Sequence, residues 1–272
     1  MNCYRHPDRE AYVRCQRCER FICPSCQTEA AVGFLCPEDA GKSGVSAVIS
    51  SAAPASVRRA LAGNKPVVTY GIMILCVAVW LLQVMPGSSV TQDFLYIPLA
   101  TSFEPWRMVT AAFLHSTSSP FHLLMNMYTL WFIGKELEMV LGRGRFLAAY
   151  LLSAFGGSVG VLLLADPTTA VVGASGALFG IMVLYIVVAR TLGGDPRSIT
   201  VIFAINLFLG FGIPGIAWEA HVGGAVTGLA VGLLYAKTRS VKSGPARAIG
   251  LAGIAGVLII LTFYGVSKII GF

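Results

Sequence analysis

Long apolar stretches separated by short polar turns dominate the chain after residue 65. Each stretch is about 15–20 residues long, close to what a helix needs to cross a hydrocarbon core of roughly 30 Å. They lie at about 66–85, 121–139, 146–165, 171–189, 199–213, 219–236 and 248–267. The pattern predicts seven membrane-spanning helices, the fifth the shortest, and hence an all-α polytopic membrane protein.

The composition agrees with a membrane protein. Hydrophobic residues make up 56% of the chain, charged residues 12%, and the mean hydropathy is +0.73. Soluble domains average about 25% charged residues. Because the first 40 residues are polar and rich in cysteine, no cleavable signal peptide is expected at the start.

Basic residues cluster in alternate turns between the apolar stretches. The turns predicted to lie inside carry Arg58, Arg59, Lys65, Lys135, Arg143, Arg145, Arg190, Arg197, Lys237, Arg239, Lys242 and Arg247. Only Arg107 and Lys268 fall on the other side. Short loops rich in Lys and Arg stay in the cytoplasm, so we expect a cytoplasmic N-terminus in a multi-pass protein of the plasma membrane. The net charge of +7 then reflects topology, and no nucleic-acid partner is expected.

Three regions follow along the chain. Residues 1–40 hold six of the seven cysteines and are predicted to form a small metal-binding module. Residues 41–65 are small, polar and interrupted by proline, which is typical of a flexible linker. Residues 66–272 form the membrane domain. Its long loop between the first two spans contains "FEPWRMVTAAFLH", whose Trp106 and Arg107 suit an outer membrane interface.

Metal-ligand pairs repeat through the N-terminal segment at a fixed spacing. Four pairs with two intervening residues are Cys3 and His6, Cys15 and Cys18, Cys23 and Cys26, and Cys36 and Asp39. Thiolates and imidazole suit zinc, and eight ligands are enough for two ions. Disulfides are the alternative, but they need an oxidising compartment, whereas cytosolic thiols stay reduced.

Asp39 is the least typical of these ligands, since structural zinc sites mostly use Cys and His. We therefore expect the second site to bind zinc weakly or to complete its coordination with water, which leaves one or two ions open. The segment resembles a small B-box-type zinc finger. That resemblance implies that the first and third pairs share one ion and that the second and fourth pairs share another.

Unusual polar residues stand near the start of the second, fourth and sixth spans, which all run in the same direction. They are His122 and Asn126, then Ser175, then His221. All four should lie at a similar depth near the outer face, with Ser175 roughly 6–10 Å below the start of its helix. A single membrane serine is usually a packing residue, whereas an ionisable intramembrane residue points to function.

Small residues offer a way to bring the serine and the second histidine together. Gly224, Gly228 and Gly232 share one face of the sixth span with His221, and Gly173 and Gly176 flank Ser175. Closely packed backbones would place an imidazole beside a hydroxyl, which is the arrangement of an activated nucleophile.

The other residues of such a site can also be assigned. His122 and Asn126 are four residues apart, so they share a helix face and can donate to an oxyanion. Glu219 points away from the face of His221, which leaves a Ser–His dyad with no carboxylate. Phe179, one turn after Ser175, is placed to stack on the imidazole.

These motifs resemble the rhomboid family of intramembrane serine proteases. The residues that carry the resemblance are "WR" at 106–107, "HLLMN" at 122–126, Glu138 with Gly142, "GASG" at 173–176 and "AHVGGAVTG" at 220–228. The match covers about 66–267 and implies a six-helix core with a seventh C-terminal helix. Where the family more often has Tyr, this chain has Phe179, which keeps the ring without the hydroxyl.

The resemblance implies cleavage of single-span membrane proteins near the outer membrane face, without a metal or cofactor for catalysis. An inactive rhomboid-like scaffold that binds client transmembrane helices is the alternative, although both Ser175 and His221 are present. A transporter would need paired charges at the membrane midplane, and the fifth span offers only Asn206. The partners expected are single-span substrates, the bilayer and a cytoplasmic protein bound by the zinc module.

Overall fold

The computed structural model describes residues 2–15, 18–29, 34–40, 65–213, 215–240 and 243–271. The chain divides into two compact units, Met1–Ala52 and Ala53–Phe272. Of the predicted linker, 41–65, only Lys65 lies within the described residues.

The N-terminal unit is built from two minimal hairpins and one helical turn. The elements are β1 (Val13–Arg14), β2 (Phe21–Ile22), β3 (Thr28–Glu29), β4 (Phe34–Leu35) and α1 (Pro37–Ala40). Strands β1 and β2 pair antiparallel, as do β3 and β4. Five cysteines, together with Ala11 and Ile22, make up its buried core. A core made mostly of thiols offers little apolar burial, so something other than the hydrophobic effect has to stabilise this unit.

The C-terminal unit is helical. Its helices are α2 (Val67–Gln83), α3 (Val90–Phe94), α4 (Arg107–Thr110), α5 (Pro120–Thr129), α6 (Lys135–Leu141), α7 (Arg143–Leu164), α8 (Ser175–Thr191), α9 (Arg197–Gly212), α10 (Trp218–Lys237) and α11 (Gly244–Ile270). A π-helical segment, Leu130–Gly134, joins α5 to α6, so the two continue as one span. The predicted all-α architecture, with a helix at each of the seven apolar stretches, is confirmed.

Two of the described helices, α7 and α11, are long and apolar enough by themselves to cross a membrane. Three shorter helices, α2, α8 and α9, are also apolar. Many large apolar side chains point outward, among them Ile74, Phe208 and Phe263, each about 70% exposed or more. An apolar exterior of this kind is what contact with lipid requires.

The fourth span begins later than the sequence pattern predicts. Residues 171–174 are not helical: Val171 forms a β-bridge with Tyr96, and Gly173 has a φ of +127°. Ser175 is therefore the first residue of α8, and the predicted depth of 6–10 Å below the helix start is wrong. Gly173 belongs to the turn that leads into α8 and not to its packing face. Apolar composition alone could not distinguish this extended approach from a further helical turn.

Helices α7, α8 and α10 form the centre of the unit because glycines let their backbones touch. A Cβ built on Gly224 would lie 1.9 Å from the carbonyl oxygen of Gly176, and one on Gly228 would lie 2.1 Å from that of Gly180. A Cβ on Gly223 would likewise lie 2.3 Å from the carbonyl oxygen of Gly156 on α7. The predicted smooth face on the sixth span is confirmed, and it holds α8 against α10 at the end where Ser175 lies.

Glu138 ties the start of α2 to the end of α6. Its carboxylate accepts hydrogen bonds from the backbone N–H groups of Val68 and Thr69, at 2.9 and 2.7 Å, and from the Thr69 hydroxyl at 2.7 Å. These bonds satisfy two of the unpaired donors at the start of α2 and place a negative charge at the positive end of its dipole. Gly142, at a φ of +86°, then allows the sharp turn into α7.

The loop between the first two spans is folded against the helices. Tyr96 and Met108 are buried with residues of α7 and α11, while Trp106 stays half exposed. Arg107 bridges Glu104 at 2.7 Å and donates to the carbonyl of Leu95 at 3.0 Å. The basic side chain thus holds together the loop that the sequence placed at a membrane interface.

Candidate active site and candidate metal centre

Ser175 and His221 lie side by side. The Nε2 atom of His221 is 3.0 Å from the Oγ atom of Ser175, although 46 residues separate them in the chain. Ser175 opens α8, and His221 lies in the first turn of α10, 7% exposed. The glycine contacts between the two helices allow this approach.

The imidazole of His221 is held by ring stacking. Phe179 lies parallel to it, with ring centroids 4.0 Å apart and planes 6° apart, which confirms the predicted contact. A Cβ on Gly210 of α9 would come within 3.2 Å of Nδ1, so α9 lies close to the ring as well. Among the described residues no side chain hydrogen-bonds Nδ1, which is buried. Within the described part of the chain, Ser175 and His221 thus form a hydrogen-bonded pair with no carboxylate on the far side of the imidazole.

A cavity of about 1240 Å³ opens beside the pair. Its lining includes Ser175, His221, His122 and Asn126 together with the small residues Gly157 and Gly173. All four polar residues predicted from the second, fourth and sixth spans therefore face one space.

His122 presents one nitrogen to that space. Its Nδ1 accepts a hydrogen bond from the backbone N–H of Ser116 at 3.2 Å. An imidazole that accepts at Nδ1 carries its proton on Nε2, which makes Nε2 a donor. A Cβ on Gly173 would lie 2.9 Å from Nε2, so the glycine keeps this donor accessible beside Ser175.

Asn126 makes a hydrogen bond within its own helix. Its side-chain amide donates to the carbonyl oxygen of His122, at 2.7 Å, and its Oδ1 is buried without a partner among the described residues. The amide nitrogen carries two hydrogens, so this bond leaves one of them to donate into the cavity that Asn126 lines.

His115 is a cavity residue that the spacing argument did not place in the site. It is fully buried, its ring centroid lies 5.3 Å from that of His122, and its ring nitrogens have no partner among the described residues. Gln83 holds it through both backbone groups, at 3.0 Å each. A histidine directly before the "STSS" turn carried no periodic signal that could have marked it as buried.

Comparison with known proteins identifies the fold around this site. The profile of the Rhomboid domain matches residues 102–238, which include Ser175, His221, His122 and Asn126. The chain belongs to the rhomboid family. Rhomboid proteins are integral membrane proteins, in agreement with the apolar exterior of the helical unit.

Several rhomboid relatives are similar to this chain. It is 33% identical over 179 residues to rhomboid protease GluP of Bacillus subtilis, which is 61% of this chain and 34% of the relative. It is 30% identical to the putative rhomboid protease YdcA of the same organism, over 62% of this chain and 88% of the relative. RHOMBOID-like protein 4 of Arabidopsis thaliana is 38% identical over 138 residues. The match covers only about a third of the length of GluP and of RHOMBOID-like protein 4, 34% in each case.

Outside the rhomboid domain, the structure groups the N-terminal ligands into two clusters. Cys3, His6, Cys23 and Cys26 form one, and Cys15, Cys18, Cys36 and Asp39 form the other; within each, the ligand atoms lie within 4.8 Å of one another. This is the pairing that the resemblance to a B-box-type finger implies. All six cysteines are free thiols.

The ligand atoms of both clusters lie close enough together to hold one ion each, within about 0.4 Å of the separations around a tetrahedral zinc. The Sγ atoms of Cys23 and Cys26 lie 3.5 and 3.3 Å from Nδ1 of His6. In the other cluster, the Sγ atoms of Cys18 and Cys36 are 3.8 Å apart. Zinc bonds of about 2.3 Å to sulfur and 2.0–2.1 Å to nitrogen give separations of roughly 3.5–3.8 Å at tetrahedral angles.

Proposed function

We propose that the protein is an intramembrane serine endopeptidase that cleaves single-span membrane proteins near the outer membrane face. The observation that carries the proposal is the 3.0 Å approach of His221 Nε2 to the Ser175 hydroxyl at the wall of a cavity. Membership of the rhomboid family and similarity to rhomboid proteases support it. The plasma membrane and the cytoplasmic N-terminus remain inferences from the distribution of basic residues.

In the proposed reaction, His221 takes the proton of Ser175 through Nε2, and the alkoxide attacks the substrate carbonyl. The imidazolium then returns the proton to the leaving amine. A water molecule, deprotonated by His221, hydrolyses the acyl-enzyme and regenerates the serine. Stacking on Phe179 keeps the imidazole in place while its charge changes.

The tetrahedral intermediate needs donors where its negative charge develops. We assign Nε2–H of His122 to this role, together with the backbone N–H of Ser175, which has no intrahelical acceptor at the first position of α8. The amide of Asn126 supplies a further donor through the hydrogen that is not bonded to the His122 carbonyl. Metal ions and cofactors have no part in this scheme.

Substrate has to be unwound before it can react. A transmembrane helix hides its carbonyls in its own hydrogen bonds, so we expect cleavage next to small or helix-breaking residues.

The test is cleavage of a fluorogenic single-span substrate by the detergent-solubilised protein. Ser175→Ala and His221→Ala should each abolish cleavage, and the double variant should be no worse, because the two groups act as one unit. Ser118→Ala, which alters only a loop hydroxyl bonded to Ser116, is the matched control and should retain activity. If the wild-type protein binds such substrates but leaves them intact, it is a rhomboid-like scaffold instead.

We propose further that the N-terminal clusters hold two structural zinc ions. The donor sets, three thiolates with an imidazole and three thiolates with a carboxylate, suit this ion. Bound zinc would supply folding free energy to a unit whose core is mostly thiols. The role we assign to this module is recruitment of a cytoplasmic partner, or of the cytoplasmic tail of a substrate.

A further inference from the structure

Arg20 lies against the second ligand cluster, and its side chain is not a metal ligand. Its Nε donates to the Sγ atom of Cys18 at 3.1 Å, and one terminal nitrogen lies 3.7 Å from the Sγ atom of Cys36. The same nitrogen donates to the carboxylate of Glu38 at 2.6 Å. The guanidinium therefore spans two ligand sulfurs and an acid on α1.

An aromatic ring also sets the position of this side chain. The guanidinium carbon lies 3.9 Å from the centroid of the Tyr4 ring, a cation–π contact. Three kinds of contact thus fix one half-exposed arginine, which is more than a solvated surface residue makes.

The two clusters differ in charge. With a divalent ion bound, three thiolates leave each cluster with one net negative charge. The carboxylate of Asp39 adds a second negative charge to its cluster, whereas the neutral imidazole of His6 adds none to the other. Asp39 also lies close to the sulfurs, with Oδ2 3.1 Å from the Sγ atom of Cys36.

We propose that Arg20 is a positioning residue for the second metal site: it offsets the extra negative charge that Asp39 brings and orients the sulfurs of Cys18 and Cys36. Hydrogen bonds from a cation to thiolates are charge-assisted, and they lower the repulsion among the ligands. This explains how a ligand set with a carboxylate is retained in a structural site. The inference rests on the proposed binding of zinc by this module.

The first measurement is zinc stoichiometry and affinity of the full-length protein in detergent, by elemental analysis and by competition with a chromophoric chelator. Wild type should bind two ions. Arg20→Gln should weaken one of the two about 10–100-fold, the usual effect of losing an outer-sphere partner, and leave the other unchanged. Arg14→Gln is the matched control and should change neither ion, since the Arg14 side chain lies over the ring of Phe21 and makes no hydrogen bond or ion pair with a described residue.

A second pair of variants separates the charge effect from general support of the fold. Asp39→His removes the extra negative charge, and in that background the loss of affinity caused by Arg20→Gln should be clearly smaller than in the wild-type background. Arg20→Lys should recover part of the loss, because it keeps the charge without the fork of donors. Cobalt(II) absorption should show the change at one site only.

The outcomes distinguish the two proposals. A wild-type protein that binds no zinc overturns the metal proposal and this inference with it. Two tightly bound ions together with an unaffected Arg20→Gln variant overturn this inference alone. An equal loss from Arg20→Gln in the wild-type and Asp39→His backgrounds would show that Arg20 supports the fold without balancing charge, and it also contradicts the inference.

Discussion

At the scale of single residues, the imidazole of His221 is held by packing, and no carboxylate among the described residues hydrogen-bonds its Nδ1 atom. Phe179 lies flat on one face of the ring, and Gly210 leaves room for it at Nδ1. In the sequence, the spacing between Ser175 and Phe179 already indicated a stacking ring. The approach of Gly210 to Nδ1 depends on where α9 crosses the site. The sequence of α9 alone does not indicate which helix it will cross.

Phe179→Leu tests this packing. Loss of the parallel ring should let the imidazole rotate away from Ser175, and cleavage should fall by up to about 100-fold in kcat, since small misplacements of reacting groups are costly. Phe203→Leu is the control, because Phe203 contacts the Phe179 ring at 5.6 Å without touching His221. Equal activities of the two variants would contradict a positioning role for Phe179.

The oxyanion donors form a second prediction at this scale. His122→Ala and Asn126→Ala should each lower kcat by about 10–1000-fold, less than loss of the nucleophile, because each removes one donor. Since Asn126 is bonded to the His122 carbonyl in the resting structure, we expect its substitution to be the milder of the two. Steady-state kinetics on the fluorogenic substrate measures kcat for both variants. If neither kcat changes, the "HLLMN" residues have a structural role and do not stabilise the oxyanion.

At the scale of elements, the site depends on the contact between α8 and α10. The sequence indicated Gly224 and Gly228 as a smooth face and Gly176 as part of the surface that meets it, whereas the role of Gly180 appears only in the structure. The start of α8 was misplaced by four residues, because the apolar residues before Ser175 pair with Tyr96 instead of winding into a helix.

Gly228→Ala should damage this contact. The new methyl would lie 2.1 Å from the backbone oxygen of Gly180, and backbone cannot move aside as a side chain can. We expect a loss of about 1–3 kcal/mol of stability, typical of overpacking, and a parallel loss of cleavage as His221 moves from Ser175.

The control for this substitution is Gly253→Ala in α11, where no heavy atom lies within 4 Å of the added methyl. Thermal unfolding of the two variants in the same detergent is the measurement. A midpoint for Gly228→Ala as high as that of Gly253→Ala would show that α8 and α10 are not held at backbone contact.

At the scale of the whole molecule, two units that fold by different physics share one chain. The rhomboid unit has its own buried helices, and the N-terminal unit has a core of thiols. Removal of residues 1–45 should therefore leave basal cleavage of a tailless substrate intact. The truncated protein should lose activity only on a substrate with its native cytoplasmic tail, if the module recruits that tail.

Chelation provides the matching experiment on the intact protein. A strong chelator should unfold the N-terminal unit and reproduce the effect of truncation on the tailed substrate, because both remove the same recruiting surface. Loss of activity on the tailless substrate in either experiment would mean that the module supports folding or catalysis directly.

The sequence by itself determined the helical class, the number of apolar helices, the family and the residues of the candidate site. It could do so because lipid demands long apolar runs, and because Ser175, His221, His122 and Asn126 are polar exceptions within them. The pairing of the metal ligands came from resemblance, and the structure then brought the same groups together.

Only the tertiary structure decided how these groups meet. Three features depend on neighbours distant in the chain: the turn before Ser175, the burial of His115 and the contact of Arg20 with the sulfur of Cys36. Such contacts arise from the packing of whole elements, because a side chain's partners are set by which backbones come close. Periodicity along one helix carries no information about the element that will lie across from it.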